Sequence, residues 1–150
     1  MNNRRSFIVG IKSIKLSTKE KYFLKKYKPW GIILFSRNIK NINQTSKLTS
    51  SIRTIFNDKK YPILIDQEGG RVNRLNKIIS FDNLTSEFFG NQFIKNHKEF
   101  NFFYKLFIDK TSYLLKSIGA NINTTPVLDL NLKGASNIIG DRSFSKDPNI

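Results

Sequence analysis

A strand-like apolar segment that ends in carboxylates, glycines and arginines is the part of this chain best suited to chemistry. Residues 61–65 are almost entirely apolar, the run Asp-Gln-Glu-Gly-Gly follows at 66–70, and Arg71 and Arg74 come next. The apolar run predicts a buried strand, and the glycines predict a turn at its end. Carboxylates accept hydrogen bonds from hydroxyl groups, and arginines hold carboxylates or oxygen-rich ligands. The segment therefore predicts a site for a polar ligand.

Asp66 and Glu68 allow two interpretations. Two nearby carboxylates are typical of glycoside hydrolysis, in which an acid and a nucleophile flank the scissile bond. Residues i and i+2 of an extended segment point the same way, but the Gly-Gly turn leaves the geometry of this pair open. The alternative is a strand-end turn in which Glu68 pairs with Arg71 or Arg74. Both interpretations stay open at this point.

Other polar positions carry weaker signals. Arg142 lies in a polar loop, where it could grip a carbonyl or hydroxyl group or form a surface pair with Asp141. Asp129 could be a ligand contact or a buried hydrogen-bond hub. His97, the only histidine, lies in a polar helical stretch and is predicted to be exposed. The turn at 36–38 is predicted to be structural, and the phenylalanines from 88 to 107 are predicted to form core.

The spacing of apolar residues predicts strands alternating with helices. We predict strands at 7–11, 30–35, 63–65 and 120–122. We predict helices from Thr18, as the cap, to about Lys26, at 43–56, and at 86–118 in two pieces broken near 90–96, with Gly119 as the final cap. The inward residues are predicted to be Tyr22, Phe23 and Tyr27 in the first helix and Leu48, Ile52, Ile55 and Phe56 in the second. Residues 66–85 are predicted to form a long loop. This alternation favours an α/β fold of parallel (β/α) units, in which ligands bind at the carboxyl ends of the strands.

Composition sets the broad class of the protein. The chain has 150 residues, 39% hydrophobic and 25% charged, which favours one folded domain. It has no cysteine, which excludes disulfides and thiolate metal sites. The net charge of +15 raises nucleic-acid binding as a hypothesis, but the lysines are scattered, and no nucleic-acid-binding motif appears. Apolar runs are too short for a signal peptide or a membrane span, so we expect a cytoplasmic protein without membrane insertion.

Four colinear segments resemble the N-terminal half of a family 3 glycoside hydrolase, of the bacterial β-N-acetylhexosaminidase type. They are 31–39 (Gly-Ile-Ile-Leu-Phe-Ser-Arg-Asn-Ile), 65–75 (Ile-Asp-Gln-Glu-Gly-Gly-Arg-Val-Asn-Arg-Leu), 123–130 around Pro-Val-Leu-Asp, and 140–145 (Gly-Asp-Arg-Ser-Phe-Ser). The second and fourth are specific, and the resemblance covers essentially the whole chain. The family fold is a TIM-type barrel of about 250 residues. The resemblance therefore implies roughly the first half of such a barrel.

The resemblance also implies roles for individual residues. Asp66 would bind hydroxyl groups of an N-acetylglucosamine ring beside the cleaved bond, and Arg74 and Arg142 would make further substrate contacts. Family members act with retention through a glycosyl-enzyme, using an aspartate on a later strand and, in this subgroup, a histidine on a mobile loop. His97 matches no family histidine, and Glu68 and Asp129 do not fill these roles. The resemblance implies no catalytic residue in this chain, no cofactor and no metal.

We therefore expect an incomplete glycosidase, one partial barrel domain over residues 1–150 that is truncated at its C-terminus. Its parent would release terminal N-acetylglucosamine from peptidoglycan fragments, whereas these residues alone would be inactive and marginally stable because strand edges stay unpaired. Asn83-Leu84 departs from the Leu-Pro often seen in the family, which affects loop shape more than chemistry. The alternatives are a family 3 fragment acting on β-glucosides and a noncatalytic sugar-binding or scaffold module.

Overall fold

The computed structural model describes residues 3–134 and 136–150. Its strands are β1 (Arg5–Gly10), β2 (Pro29–Leu34), β3 (Ile63–Ile65) and β4 (Ile122–Asn123). Its α-helices are α1 (Thr18–Tyr27), α2 (Ile42–Phe56), α3 (Ser86–Lys95) and α4 (His97–Ile118), and short 3-10 turns lie at Ser36–Asn38 and Gly140–Arg142. The strands form one parallel sheet in the order β1-β2-β3-β4. The predicted α/β class with parallel (β/α) units is confirmed.

The chain divides into two compact units. The first contains the residues up to Asp66 together with Tyr113–Thr124, and it holds the whole sheet. The second contains Gln67–Ser112 and Thr125–Ile150. No α-helix among the residues that the structure describes has the length and apolar character needed to cross a membrane.

The core of the first unit forms between the sheet and its helices. The strands β2 and β3 are nearly continuous apolar runs, as expected for a parallel sheet covered on both faces. Their fully buried side chains are Ile32, Leu34, Ile63 and Ile65, and the helices add Leu24, Leu48, Ile52 and Ile118. The Tyr61 hydroxyl donates to the Pro29 carbonyl at 2.8 Å. Burial raises the pKa of Tyr61 further above its ordinary value.

The prediction for the inner face of α1 was wrong for Tyr22 and Phe23, whereas Tyr27 is half-buried. Tyr22 is 64% exposed and Phe23 is also exposed, whereas Leu24 is the buried residue of this helix. A short helix turns only one narrow face toward the core. Because Leu24 lies on that face, Tyr22 and Phe23, which point in other directions around the helix, remain outside the core. The cap is Ser17 and not Thr18, because the Ser17 hydroxyl accepts from the Glu20 amide, and the Glu20 carboxylate accepts from the Ser17 amide in a capping box.

Helix α4 ends at Ile118, as the sequence predicts, but the strand after it starts later than predicted. Gly119 has φ +81° and caps α4 as expected. The Ala120 amide still donates to the Leu115 carbonyl at 2.9 Å, so β4 starts at Ile122 instead of Ala120. From α2, Thr49 donates to the Ile118 carbonyl at 2.9 Å, and Arg53 donates to the Gly119 carbonyl at 2.7 Å. The positive charge of Arg53 at the C-terminal end of α4 also complements the dipole of that helix.

The break between α3 and α4 is a single residue. Asn96 is extended, and its side-chain oxygen accepts from the Lys98 and Glu99 amides at 3.1 and 3.3 Å. Asn96 therefore caps the start of α4. Gly90, predicted to lie in the break, is inside α3, where a Cβ would lie 1.9 Å from the Phe144 carbonyl oxygen. The glycine permits close approach of helix and loop.

Candidate functional site

The polar segment after β3 begins at the carboxyl edge of the sheet. Asp66 directly follows β3 and is half-buried. The carboxyl end of β3 is paired there, because the Thr124 amide donates to the Ile65 carbonyl at 2.9 Å. Asp66 belongs to the first unit, whereas Arg74 and Arg142 belong to the second. The structure confirms that Asp66 is at a strand end, and its contact with a ligand remains a prediction.

The second unit begins with the tight turn that the glycines predict. Gly69 and Gly70 have φ of +98° and +54°, which residues with a side chain rarely adopt. The Gly70 amide donates to the Phe81 carbonyl at 2.9 Å, and a Cβ on Gly69 would lie 2.3 Å from the Leu84 carbonyl oxygen. The two ends of the loop 67–85 therefore pack backbone against backbone, which requires glycine at this turn.

Two buried amide side chains hold the middle of this loop. Gln67 and Asn73 are almost fully buried, and their side-chain oxygens accept from the Leu75 amide at 3.0 and 3.1 Å. The Asn73 amide group donates to the Ile79 carbonyl at 3.0 Å. These bonds fix the backbone on both sides of Arg74, which is half-buried. The sequence did not predict that Gln67 and Asn73 would be buried and would bind the backbone, because a polar residue in a loop gives no signal of its burial.

Glu68 and Arg142 form a two-point ion pair. The Arg142 Nε and Nη2 groups each donate to a Glu68 carboxylate oxygen at 2.8 Å. The Glu68 side chain is 6% exposed and that of Arg142 is 24% exposed. A bidentate, charge-assisted pair is among the stronger polar contacts in proteins and fixes the plane of the guanidinium group. The structure therefore holds Arg142 in one orientation.

Arg71 organises the loop that carries Arg142. Its Nε group donates to Asp141 at 2.8 Å, and its Nη2 group donates to the carbonyls of Asn137, Ile138 and Ile139 at 2.7 to 3.0 Å. One guanidinium thus gathers three successive carbonyl groups. This arrangement also brings the 3-10 turn Gly140–Arg142 against the glycine turn.

The pairing of charges differs from the sequence prediction. One interpretation of the sequence paired Glu68 with Arg71 or Arg74, and another paired Asp141 with Arg142. In the second unit Glu68 instead binds Arg142, and Arg71 binds Asp141. Each pair joins residues about seventy positions apart. Neighbours in sequence were the wrong choice because the two loops lie side by side in this unit.

Aromatic side chains surround Glu68. A cavity of about 30 Å³ is lined by Glu68, Phe89, Tyr104 and Phe144, among others. Burial raises the pKa of the half-buried Tyr104. Phe89 is buried as predicted, but Phe102 and Phe103 are exposed, so the prediction that this whole run forms core was wrong. Phe102 falls on the face of α4 opposite to its buried side, whereas Phe103 lies at the edge of that side near Phe107.

The remaining sequence candidates have structural or surface positions. His97 is exposed as predicted and stacks on Phe93 with 4.0 Å between ring centroids. Asp129 is exposed, which contradicts a buried hub. Asn38 is fully buried: its side chain accepts from the Phe35 amide and donates to the Ile11 and Ser13 carbonyls. The prediction that the turn at 36–38 is structural agrees with these contacts.

A parallel β/α chain with a polar glycine turn after its third strand has the organisation of part of a (β/α) barrel domain. Residues 6–150 match the glycosyl hydrolase family 3 N terminal domain, and the chain belongs to this family.

Comparison with individual relatives agrees with this assignment. A β-hexosaminidase of Hydrogenovibrio crunogenus is 34% identical over 141 residues, which are 94% of this chain and 39% of the relative. The crystal structure of native NagZ from Neisseria gonorrhoeae superposes with a TM-score of 0.83 at 29% identity, covering 97% of this chain and 42% of that one. The same protein in complex with N-trifluoroacetyl-D-glucosamine matches with a TM-score of 0.72 at 28% identity, over 97% of this chain and 43% of that one. These neighbours are TIM-barrel-type domains. The chain spans about 40% of the length of these relatives.

Proposed function

We propose that these 150 residues are the substrate-holding part of a retaining β-N-acetylglucosaminidase, one partial (β/α) barrel domain. The observation that supports this most directly is the family match over residues 6–150, with relatives that include β-hexosaminidases and a NagZ structure holding an N-acylated glucosamine. The proposed substrate is a saccharide with terminal β-linked N-acetylglucosamine, as in peptidoglycan fragments, and the proposed location is the cytoplasm.

Asp66, Arg74 and Arg142 are the proposed sugar contacts. Asp66 accepts hydrogen bonds from ring hydroxyl groups, since an ionised carboxylate has only acceptors. The two arginines donate to hydroxyl or carbonyl oxygens of the sugar. The buried amides around Arg74 and the ion pair at Arg142 support these roles, because fixed donors lose less entropy on binding than mobile ones.

We also propose that these residues alone do not hydrolyse the substrate. A retaining glycosidase needs a carboxylate nucleophile and an acid/base group on either side of the scissile bond. The Glu68 carboxylate is occupied by Arg142, and His97 is an exposed helix residue that stacks on Phe93. Both observations support a binding role without chemistry for this stretch of the fold.

A titration combined with an activity assay tests both parts. The isotope-labelled 150-residue chain is titrated with N-acetylglucosamine, and amide shifts are followed by NMR. We expect saturable shifts at Asp66, Arg74 and Arg142, and we expect Asp66→Ala to remove them. Asp82→Ala is the matched control, because Asp82 is an exposed aspartate elsewhere in the same loop. Absence of saturable shifts would overturn the binding role.

The same preparation is incubated with a chromogenic β-N-acetylglucosaminide. We expect no turnover from wild type or from either variant. Turnover that Asp66→Ala abolishes and Asp82→Ala preserves would overturn the proposal that the chain lacks the chemical step.

A further inference from the structure

Both arginines of the glycine-turn cluster, defined as Glu68, Arg71, Asp141 and Arg142, are charge-compensated. This is unusual for the chain, which has 26 lysine and arginine residues but only 11 acidic residues. Most cations therefore have no acid available to them. Nevertheless, one acid pairs with Arg142 and another with Arg71, both with 2.8 Å contacts. The cluster is close to neutral within a strongly basic protein.

The two pairs differ in burial and in geometry. Glu68 meets Arg142 with both carboxylate oxygens, is almost fully buried, and lines an aromatic cavity. Asp141 accepts a hydrogen bond from the Arg71 Nε group through a single carboxylate oxygen, and both side chains are more than a third exposed. A charge pair in a poorly hydrated environment interacts more strongly than an exposed one. Compensation is therefore strongest at Arg142, which is the arginine proposed to contact the sugar.

We propose that Glu68 is a positioning residue that sets the charge specificity of the site. It holds the Arg142 guanidinium in one plane and cancels its charge, so that Arg142 offers hydrogen bonds without attracting anions. The site then favours a neutral sugar over the same sugar carrying a carboxylate. This inference rests on the proposed function for the identity of the ligand.

The physical reason is the cost of an uncompensated charge. If Glu68 loses its charge, Arg142 loses the counter-ion that binds it at two points in a partly buried place, which is unfavourable. A carboxylate on the ligand could then replace the missing partner, with the same planar geometry that Glu68 uses now. Loss of Glu68 should therefore raise affinity for an anionic sugar while it lowers or preserves affinity for a neutral one.

The test compares two ligands that differ in one group. The probes are N-acetylglucosamine and its uronic acid, in which C6 is a carboxylate, and their Kd values are measured by NMR titration of the 150-residue chain at neutral pH. For wild type we expect the neutral sugar to bind more tightly. For Glu68→Gln we expect the ratio of the two Kd values to shift toward the uronic acid by about tenfold, the value of one charge-assisted hydrogen bond.

Asp141→Asn is the matched control. It removes the same charge from the neighbouring ion pair, but its partner Arg71 is not among the proposed sugar contacts. We expect the Kd ratio to stay within about twofold of wild type, since exposed pairs contribute little. An equal shift in both variants would overturn the proposal, because it would reduce the effect to overall net charge.

Two further variants test whether the gained affinity depends on Arg142 and provide a replacement if Glu68→Gln does not fold. The double variant Glu68→Gln/Arg142→Gln should lose the gained affinity for the uronic acid, since that gain belongs to Arg142. If Glu68→Gln does not fold, as judged by circular dichroism, Glu68→Asp takes its place. Its shorter side chain weakens the two-point pair, and we expect a smaller shift in the same direction, with an unchanged ratio overturning the proposal.

The result separates this inference from the proposed function. If wild type binds N-acetylglucosamine and Glu68→Gln leaves the ratio unchanged, the specificity role is wrong and the sugar-binding function stands. If wild type binds neither probe but Glu68→Gln binds the uronic acid through Arg142, the sugar-binding function is wrong and charge cancellation by Glu68 stands. If neither protein binds either probe, both are wrong.

Discussion

The sheet of the first unit and the loop network of the second unit are stabilised by different kinds of contact. In the sheet, Ile32, Ile63 and Ile65 are fully buried among other apolar side chains. In the loops, Glu68 and Arg71 bind partners about seventy residues away through directed hydrogen bonds. Apolar burial is non-directional and tolerates small shifts, whereas a two-point ion pair fails when one atom moves. We therefore expect the stability of the sheet to depend on how much apolar volume a mutation removes, and the candidate site to depend on the exact placement of its charged groups.

The largest expected effect is in the sheet. Ile63→Ala removes a fully buried side chain from β3 and should lower the free energy of unfolding by roughly 2–5 kcal/mol. Ile8→Ala in β1 is the matched control, because Ile8 is 44% exposed in the same sheet. We expect its cost to be under about 1 kcal/mol, in proportion to the smaller area buried. Urea unfolding followed by circular dichroism measures both, and equal losses would contradict the assignment of β3 as core.

A smaller effect is expected where helix and loop backbones meet in the second unit. Alanine normally stabilises a helix interior relative to glycine by about 1 kcal/mol. Gly90→Ala should instead destabilise the protein by about 1–3 kcal/mol, because its Cβ would overlap the Phe144 carbonyl oxygen.

The neighbouring change Asn91→Ala is the control for Gly90→Ala. Asn91 is an exposed residue of the same helix, and alanine there should be neutral or slightly stabilising. Urea midpoints of the two variants and wild type give the comparison. A stabilised Gly90→Ala protein would show that α3 does not approach Phe144 as described.

The smallest effect is expected at the half-buried ion pair of Arg4 and Asp58 in the first unit, and it depends on pH. The hydrogen bond from Arg4 and then the backbone amide of Lys60 lower the pKa of the Asp58 carboxyl below its ordinary value of 3.8. A lowered pKa in the folded state means that the carboxylate stabilises the fold above that ordinary value and loses this contribution as the pH falls further.

Asp58→Asn isolates this contribution. We expect the urea midpoint of wild type to fall more between pH 7 and pH 3 than that of the variant, with a small difference because solvent still reaches both side chains of the pair. Identical falls in the two proteins would mean that the Arg4–Asp58 contact does not persist in solution.

The parts of the structure that could be predicted from sequence are those set by local patterns. The apolar run 63–65 predicted β3 at its observed bounds, and the glycine after Ile118 predicted the end of α4. The glycine turn after β3 was predicted because only glycine adopts its backbone angles easily. Each of these depends on a few adjacent residues.

The parts that could not be predicted depend on contacts between distant segments. Nothing near Glu68 in sequence indicates that Arg142 will be its partner, because that choice depends on how two loops pack in the same unit. Gly90 was interpreted as a helix break because glycine is a poor helix former, whereas its actual role is contact with Phe144. Likewise, the apolar residues of α1 outnumber the space that its packing offers, so only Leu24 is buried.

The side chain of Asn38 has a consequence for motion at the carboxyl edge of the sheet. It binds the Phe35 amide in its own turn after β2 and the Ile11 and Ser13 carbonyls in the segment after β1. One buried amide therefore fastens two successive loops to each other. Neither loop can swing open alone without breaking buried hydrogen bonds, which is costly. The two loops should consequently move as a single body, so that displacement of either one is transmitted to the other.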